Sequence, residues 1–144
     1  MKPTPEIVLN NGFAKIVFEM GPALPPGYGQ GSASLVGIHL LLLAQEFNRA
    51  ADVRVQENAA MRALFADVAP RVHGSLGTRL SDACKRIDSD LKISALDENN
   101  TFLKNLLIEL HACIDEAGDR SLAQRILLLL SEFASARQVF LPPM

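Results

Sequence analysis

Apolar side chains recur along this chain at the three- and four-residue spacing of helices, and the recurrence begins abruptly near residue 33. Leu40, Leu43, Phe47 and Ala51 follow one another at 3 or 4, and the stripe resumes with Val55, Met61, Leu64 and Phe65. Side chains three and four apart share one face of an α-helix, so this pattern predicts amphipathic helix. Ser32 or Ser34 is placed to cap its start. Nothing between Ile38 and Ala69 breaks a helix. The expectation is one helix of about 33 residues, some 50 Å long, or two with a joint near residues 48–52. Pro70 and Gly74 then mark a turn.

A further helix is predicted over residues 75–92. Leu76, Leu80, Cys84, Ile87 and Leu91 define its apolar face, with Asp82–Arg86 and Asp88–Lys92 as i,i+4 pairs on the other. The polar run Asp97-Glu98-Asn99-Asn100-Thr101 reads as the next break. Leu103, Leu107, Leu110 and Ile114 follow as a helix, with Gly118 placed as its C′ residue. The last helix starts at Asp119 or Ser121. Its seam is Leu122, Ile126, Leu129, Phe133, Ala136 and Phe140, a heptad alternation that Pro142 and Pro143 end.

Before residue 33 the pattern is different. Five of the eight prolines and five of the nine glycines lie there, and from Ser34 to Leu141 only Pro70 remains. Proline removes a donor and glycine costs entropy in a helix, so an irregular arm is expected. Within it, Ile7-Val8-Leu9 and Phe13-Ala14-Lys15-Ile16-Val17-Phe18 flank Asn10-Asn11-Gly12, which predicts a short β-hairpin. A helix over residues 12–20 is the competing reading. The fold class expected is therefore all-α: an up-and-down bundle of four to five helices spanning 34–141, with an irregular N-terminal arm over 1–33.

Two segments carry more apolar surface than one seam uses. Leu40-Leu41-Leu42-Leu43 and Ile126-Leu127-Leu128-Leu129-Leu130 wrap most of a helical turn. A helix apolar all round is central in a bundle or covered by another subunit. At 144 residues a bundle surrounds few of its helices completely, so a homodimer through one leucine-rich face is expected. A protein partner on the same surface is the related possibility.

Composition narrows the function without naming it. The formal net charge of −2 offers no attraction to phosphate backbones, so no nucleic-acid partner is expected. The longest apolar stretch, Leu35 to Ala44, falls short of the roughly 20 residues of a membrane span, and no membrane partner is expected. The opening Met1-Lys2-Pro3-Thr4-Pro5-Glu6 lacks the apolar core of a secretory signal. Cys84 and Cys113 form no Cys-x-x-Cys pair and read as reduced thiols. The expected compartment is the cytoplasm.

Candidate chemistry is sparse, and no cofactor is implied. A ligand or anion site would rest on Tyr28, Gly29, Gly31, Ser32 and His39, because a glycine-rich loop feeding a helix start offers free N–H groups and a favourable dipole. Neither the dinucleotide fingerprint nor the P-loop is present. A metal site would need His39 and Glu46, seven apart on one face, with His111 and Glu57 or Asp115 completing it. Glu109-Leu110-His111 has the wrong spacing for a bundle metal motif. His111 is placed for an i,i+4 contact with Asp115, His73 for a water-facing turn. Leu24-Pro25-Pro26-Gly27 and Leu141-Pro142-Pro143-Met144 have the apolar, extended character of polyproline segments but not the Pro-x-x-Pro spacing. No catalytic constellation is found, so the expectation leans towards a non-catalytic interaction or regulatory protein.

Overall fold

The computed structural model describes residues 2–141. Every regular element among them is helical. These are α1 (Pro5–Ala14), a π-helical stretch (Lys15–Met20), α2 (Gly21–Ala23), α3 (Tyr28–Val68), a 3-10 turn (Ala69–Arg71), α4 (Gly74–Ala83), α5 (Ile93–Ala117) and α6 (Arg120–Ala136). No helix among the described residues is long and apolar enough to cross a membrane. Internal contacts divide the chain into two units, Met1–Ala50 with Val139–Met144, and Ala51–Gln138. The compositional boundary at residue 33 falls inside the first.

In the first unit the expected β-hairpin is absent, and the arm is helical rather than irregular. Thr4 caps α1 and its side chain accepts from the Ile7 N–H, Pro5 takes the first turn, and Glu6 lies beside the helix N-terminus. Those three residues start a helix by donor capping, a preset φ and dipole compensation. The nucleus outweighs the Asn-Gly turn signal downstream. Gly12 serves close approach instead of a turn: a methyl placed there would lie 3.0 Å from Leu40 Cδ1.

The helical arm runs antiparallel to the start of α3. Glu6 hydrogen-bonds with Asn48, Gly12 faces Leu40, and Gly37 faces Val17, so one chain number falls as the other rises. The reversal comes at Leu24, whose extended backbone (ψ 148) is what a residue before proline adopts. The helix does not wait for Ser32 or Ser34. It begins at Tyr28, and Ser34 Oγ donates to the Gln30 carbonyl one turn back. Ala33 and Val36 line one cleft with Ile16 and Met20 of the arm.

α3 is one helix of 41 residues, without a joint at 48–52. Beyond Ala50 it belongs to the second unit, where Met61, Leu64, Phe65 and Val68 join Leu80 and Ala83 of α4, Leu103, Leu106, Leu107, Leu110 and Ile114 of α5, and Leu122, Ile126 and Phe133 of α6 in one core. Gly77 of α4 lies against the chain: an added methyl would meet the Val72 carbonyl oxygen at 1.9 Å.

The helix expected over residues 75–92 ends at Ala83, and Ile87 is 78% exposed. Long-range charge pairing overrides the local pattern. Asp88 accepts from both Arg62 terminal nitrogens at 2.8 Å instead of pairing with Lys92. Asp82 pairs with Lys85 rather than Arg86, and the Arg86 guanidinium lies over the Phe102 ring.

α5 begins at Ile93, so the polar run at 97–101 is helix and not a break. Leu96, Asn100, Leu103, Leu107, Leu110 and Ile114 are all buried. They alternate 4, 3, 4, 3, 4, with Asn100 the polar member of the seam. Gly118 closes the helix as expected, at φ 71, donating to Ile114 and Asp115. Asp119 then caps α6 through the Leu122 N–H. That helix stops at Ala136, before the prolines; Pro142, Pro143 and Met144, and with them the C-terminal polyproline segment, lie outside the described residues.

Candidate functional site

The first unit has an unusual distribution of side chains. Among its described residues only Gly21, Gly37, Ala44 and Ala50 are buried. Glycines let large side chains approach at its seam: an added methyl on Gly37 would lie 2.3 Å from Val17 Cγ2 and 3.6 Å from Phe13 Cδ2. Leu35, Val36, Leu43 and Phe47 of α3 point outward and are all at least half exposed, while Leu40, Leu41 and Leu42 are half-buried. Within 35–47 the buried Gly37 and Ala44 share one side of the helix, and Leu35, His39 and Leu43 share the other at intervals of four.

Between that arm and α3 lies a cleft of about 460 Å³ lined by Ile16, Met20, Ala23, Leu24, Ala33 and Val36. Every lining residue is apolar. At the other end of the same unit, Gln45 holds the returning chain: its amide donates to the Phe140 carbonyl at 2.7 Å and accepts from the Phe140 N–H at 2.9 Å.

The sequence-derived ligand residues fall in this unit. Tyr28, Gly29, Gly31 and Ser32 form the first turns of α3 itself, not a loop ahead of it. Tyr28 is 93% exposed, and a methyl on Gly29 or Gly31 would meet nothing within 4 Å. His39 is exposed two turns beyond Ser32. So these five residues share one helix, and the apolar cleft is lined by other side chains.

The metal candidates divide. His39 and Glu46 belong to the first unit, and Glu46 faces Arg49 at 3.4 Å. His111 belongs to the second and lies 3.8 Å from Asp115, its expected i,i+4 neighbour. Among the described residues no group of three or more His, Cys, Asp or Glu is arranged to hold a metal ion. Cys84 and Cys113 are free thiols, the first half-buried and the second exposed. His73 is exposed at the start of α4, as expected.

Comparison with family models, with curated proteins and with solved structures finds no match for this chain.

The second unit contains a buried polar network that the pattern of apolar residues had hidden. Glu57 is 2% exposed. Arg137 donates to both its oxygens at 2.5 and 3.0 Å, Lys104 lies 3.0 Å away, and Asn100 donates at 2.9 Å. Burial pushes its carboxyl up, but Arg137, Lys104 and Asn100 together outweigh it and bring the pKa down to about 2. Asn100 also donates to Asn58 at 2.9 Å, and Asn58 donates to Asp88 at 3.2 Å. Asp88 is held below the usual carboxylate range by Arg62 against the opposing effect of burial, with Asn99 and Asn58 adding to the pull.

A carboxylate committed to three donors carries no proton near neutral pH and is a poor base. The network ties α3 to α5 and to the residue that follows α6: Glu57 meets Asn100 and Lys104 of α5 and Arg137. A signal for it existed. Val53, Glu57, Met61, Leu64 and Val68 form a seam with one charged member, and a lone polar residue in an apolar seam marks a register device.

Proposed function

We propose that this chain is a non-catalytic helical interaction protein that acts as a homo-oligomer, its association surface being the leucine-rich face of α3. One observation carries the reading. Among its described residues the first unit fully buries only Gly21, Gly37, Ala44 and Ala50, while Leu35, Val36, Leu43 and Phe47 stand outward. A pair of helices in that condition gains its hydrophobic stabilisation by covering the outer face with further helices. The handling of ionisable groups supports a scaffold over an enzyme: Glu57, Asp88 and Asp97, the buried or half-buried acids of the second unit, are each engaged by arginine. The same reading takes the second unit as an up-and-down bundle and the cytoplasm as the compartment, in keeping with two free thiols. Light scattering coupled to size exclusion tests it. A dimer or higher oligomer at micromolar concentration is expected; a monomer up to 100-fold higher concentration removes the reading.

A second reading is favoured by the cleft beside α2, whose wholly apolar lining suits an apolar small molecule better than the anion suggested by the glycines. A thermal-shift series with straight-chain fatty acids tests it. Occupancy at 100 times the dissociation constant stabilises by about 2.7 kcal/mol, and an unchanged melting temperature across the series rules it out.

A further inference from the structure

The outward positions of α3 have an order that bears on what covers them. Ser32, Leu35, His39, Leu43 and Glu46 are spaced 3, 4, 4 and 3, a sequence of intervals that reads identically in both directions. Resting on the homo-oligomer reading, we propose that the occupant of this face is a second copy of the chain, seated antiparallel on α3 about a two-fold axis at His39.

A two-fold axis requires a surface to be its own complement. Reversing the helix about position 39 places Leu35 opposite the second copy's Leu43, and Ser32 opposite its Glu46. Apolar meets apolar, and a hydroxyl donor meets a carboxylate. The two imidazoles meet at the axis, where a ring N–H of one can donate to the unprotonated nitrogen of the other. Position 47 falls opposite Gly31, so the bulky Phe47 of each copy arrives where a methyl would meet nothing within 4 Å. The parallel arrangement is worse: it sets Phe47 against Phe47 instead of against the open space at Gly31.

Charge elsewhere on the face agrees. No Asp, Glu, Lys or Arg occurs from Met20 to Gln45, so two copies meet there without repulsion and a highly charged partner finds nothing to pair with. The extent is adequate too. Tyr28, Leu35, Val36, Leu43 and Phe47 are each at least half exposed. They offer on the order of 500 Å² of side-chain surface per copy, which His39 and the intervening helix surface extend toward the roughly 800 Å² per partner of a stable interface.

The test uses the full chain with Cys84→Ser and Cys113→Ser, its helical content checked by circular dichroism. Under mild oxidation the His39→Cys chain is expected to cross-link to itself nearly completely, while Ile108→Cys, on the exposed side of α5, remains uncross-linked. Ser32→Cys chains are expected to cross-link to Glu46→Cys chains in a mixture but not to themselves. Leu43→Asp is expected to weaken dimerisation at least about 30-fold, the loss of a central contact. If the protein is dimeric but Leu43→Asp leaves its dissociation constant unchanged and His39→Cys stays uncross-linked, the interface lies elsewhere and this proposal fails alone. Self-cross-linking of Ser32→Cys overturns the antiparallel register. A monomeric protein overturns both this proposal and the reading beneath it.

Discussion

The two units bring helices together by opposite means. In the second, large side chains fill the interior: Met61, Phe65, Leu80, Leu103, Leu110 and Ile126 are fully enclosed, and the polar residues that enter with them are tied by Arg62, Lys104 and Arg137. In the first, among the described residues only glycine and alanine are buried; Phe13, Val17 and Leu40 reach the glycines half-buried, and Leu35, Val36, Leu43 and Phe47 stand outside. The second unit's interior is of the kind that supplies most of the free energy of folding, the burial of large apolar groups. The first unit draws the backbones close at Gly12 and Gly37 and leaves Leu35, Val36, Leu43 and Phe47 exposed. Helix content is the same in both; what separates them is which face of each helix carries the large residues.

Truncation at the centre of the second unit should have the largest effect. Phe65→Ala is expected to cost about 4 kcal/mol through lost transfer energy and the cavity left behind. Urea denaturation would show the loss as a lower midpoint, and a change below about 1 kcal/mol would mean that this core is not close-packed.

Acid should act on the same unit. Glu57 falls from the ordinary value of 4.5 to about 2 in the folded chain. Its contribution is therefore present above the unfolded pKa of about 4.5 and is lost as pH falls through the folded value. A shift of that size is worth roughly 3 kcal/mol. Denaturation midpoints from pH 6 to pH 2.5 should fall steeply below pH 4.5. In Glu57→Gln the protein should be less stable at pH 6 and the fall shallower; identical slopes in the two proteins would contradict the pairing. Asp88, also held low, adds a decline of the same sign.

Two glycine substitutions sharpen the contrast between the seams. In Gly77→Ala the methyl meets a backbone carbonyl, which cannot move aside without displacing the turn before α4. A loss of about 2–3 kcal/mol is expected despite the gain in helix propensity of about 1 kcal/mol. In Gly37→Ala it meets the Val17 side chain, and the arm can separate slightly from α3. There the expected loss is smaller, about 1 kcal/mol. Thermal melts of the pair should rank them in that order. If Gly37→Ala stabilises the protein, the close approach in the first unit is not tight, and the comparison fails.

Much of the local architecture could be read from the chain, and the failures have a common form. The cap at Asp119, the left-handed Gly118, the contact of His111 with Asp115 and the seam residues Leu122, Ile126 and Phe133 all depend on neighbours within a turn or two, and they stand where the pattern put them. The helix predicted through residue 92 stops at Ala83 because Asp88 is claimed by Arg62, 26 positions away. The break predicted at 97–101 is helix because Asn100 finds Glu57, 43 positions away. Of the candidate site, the excess of leucine at 40–43 was visible, but Leu40, Leu41 and Leu42 turn out half-buried and only Leu43 is exposed. Which leucines face outward depends on where the arm lies, and that depends on Thr4, Pro5 and Glu6 starting a helix where Asn-Gly promised a turn.

By itself the sequence determined that the backbone after residue 33 coils, because apolar spacing and the absence of proline act over a few residues at a time. Tertiary structure alone decided which face of α3 is covered within the chain and which stays exposed, and it decided that Glu57 and Asn100 belong inside. Those outcomes turn on partners tens of positions distant, whose approach is set by the packing of whole helices; local spacing marks Glu57 as the charged member of an apolar seam but not the partners that hold it.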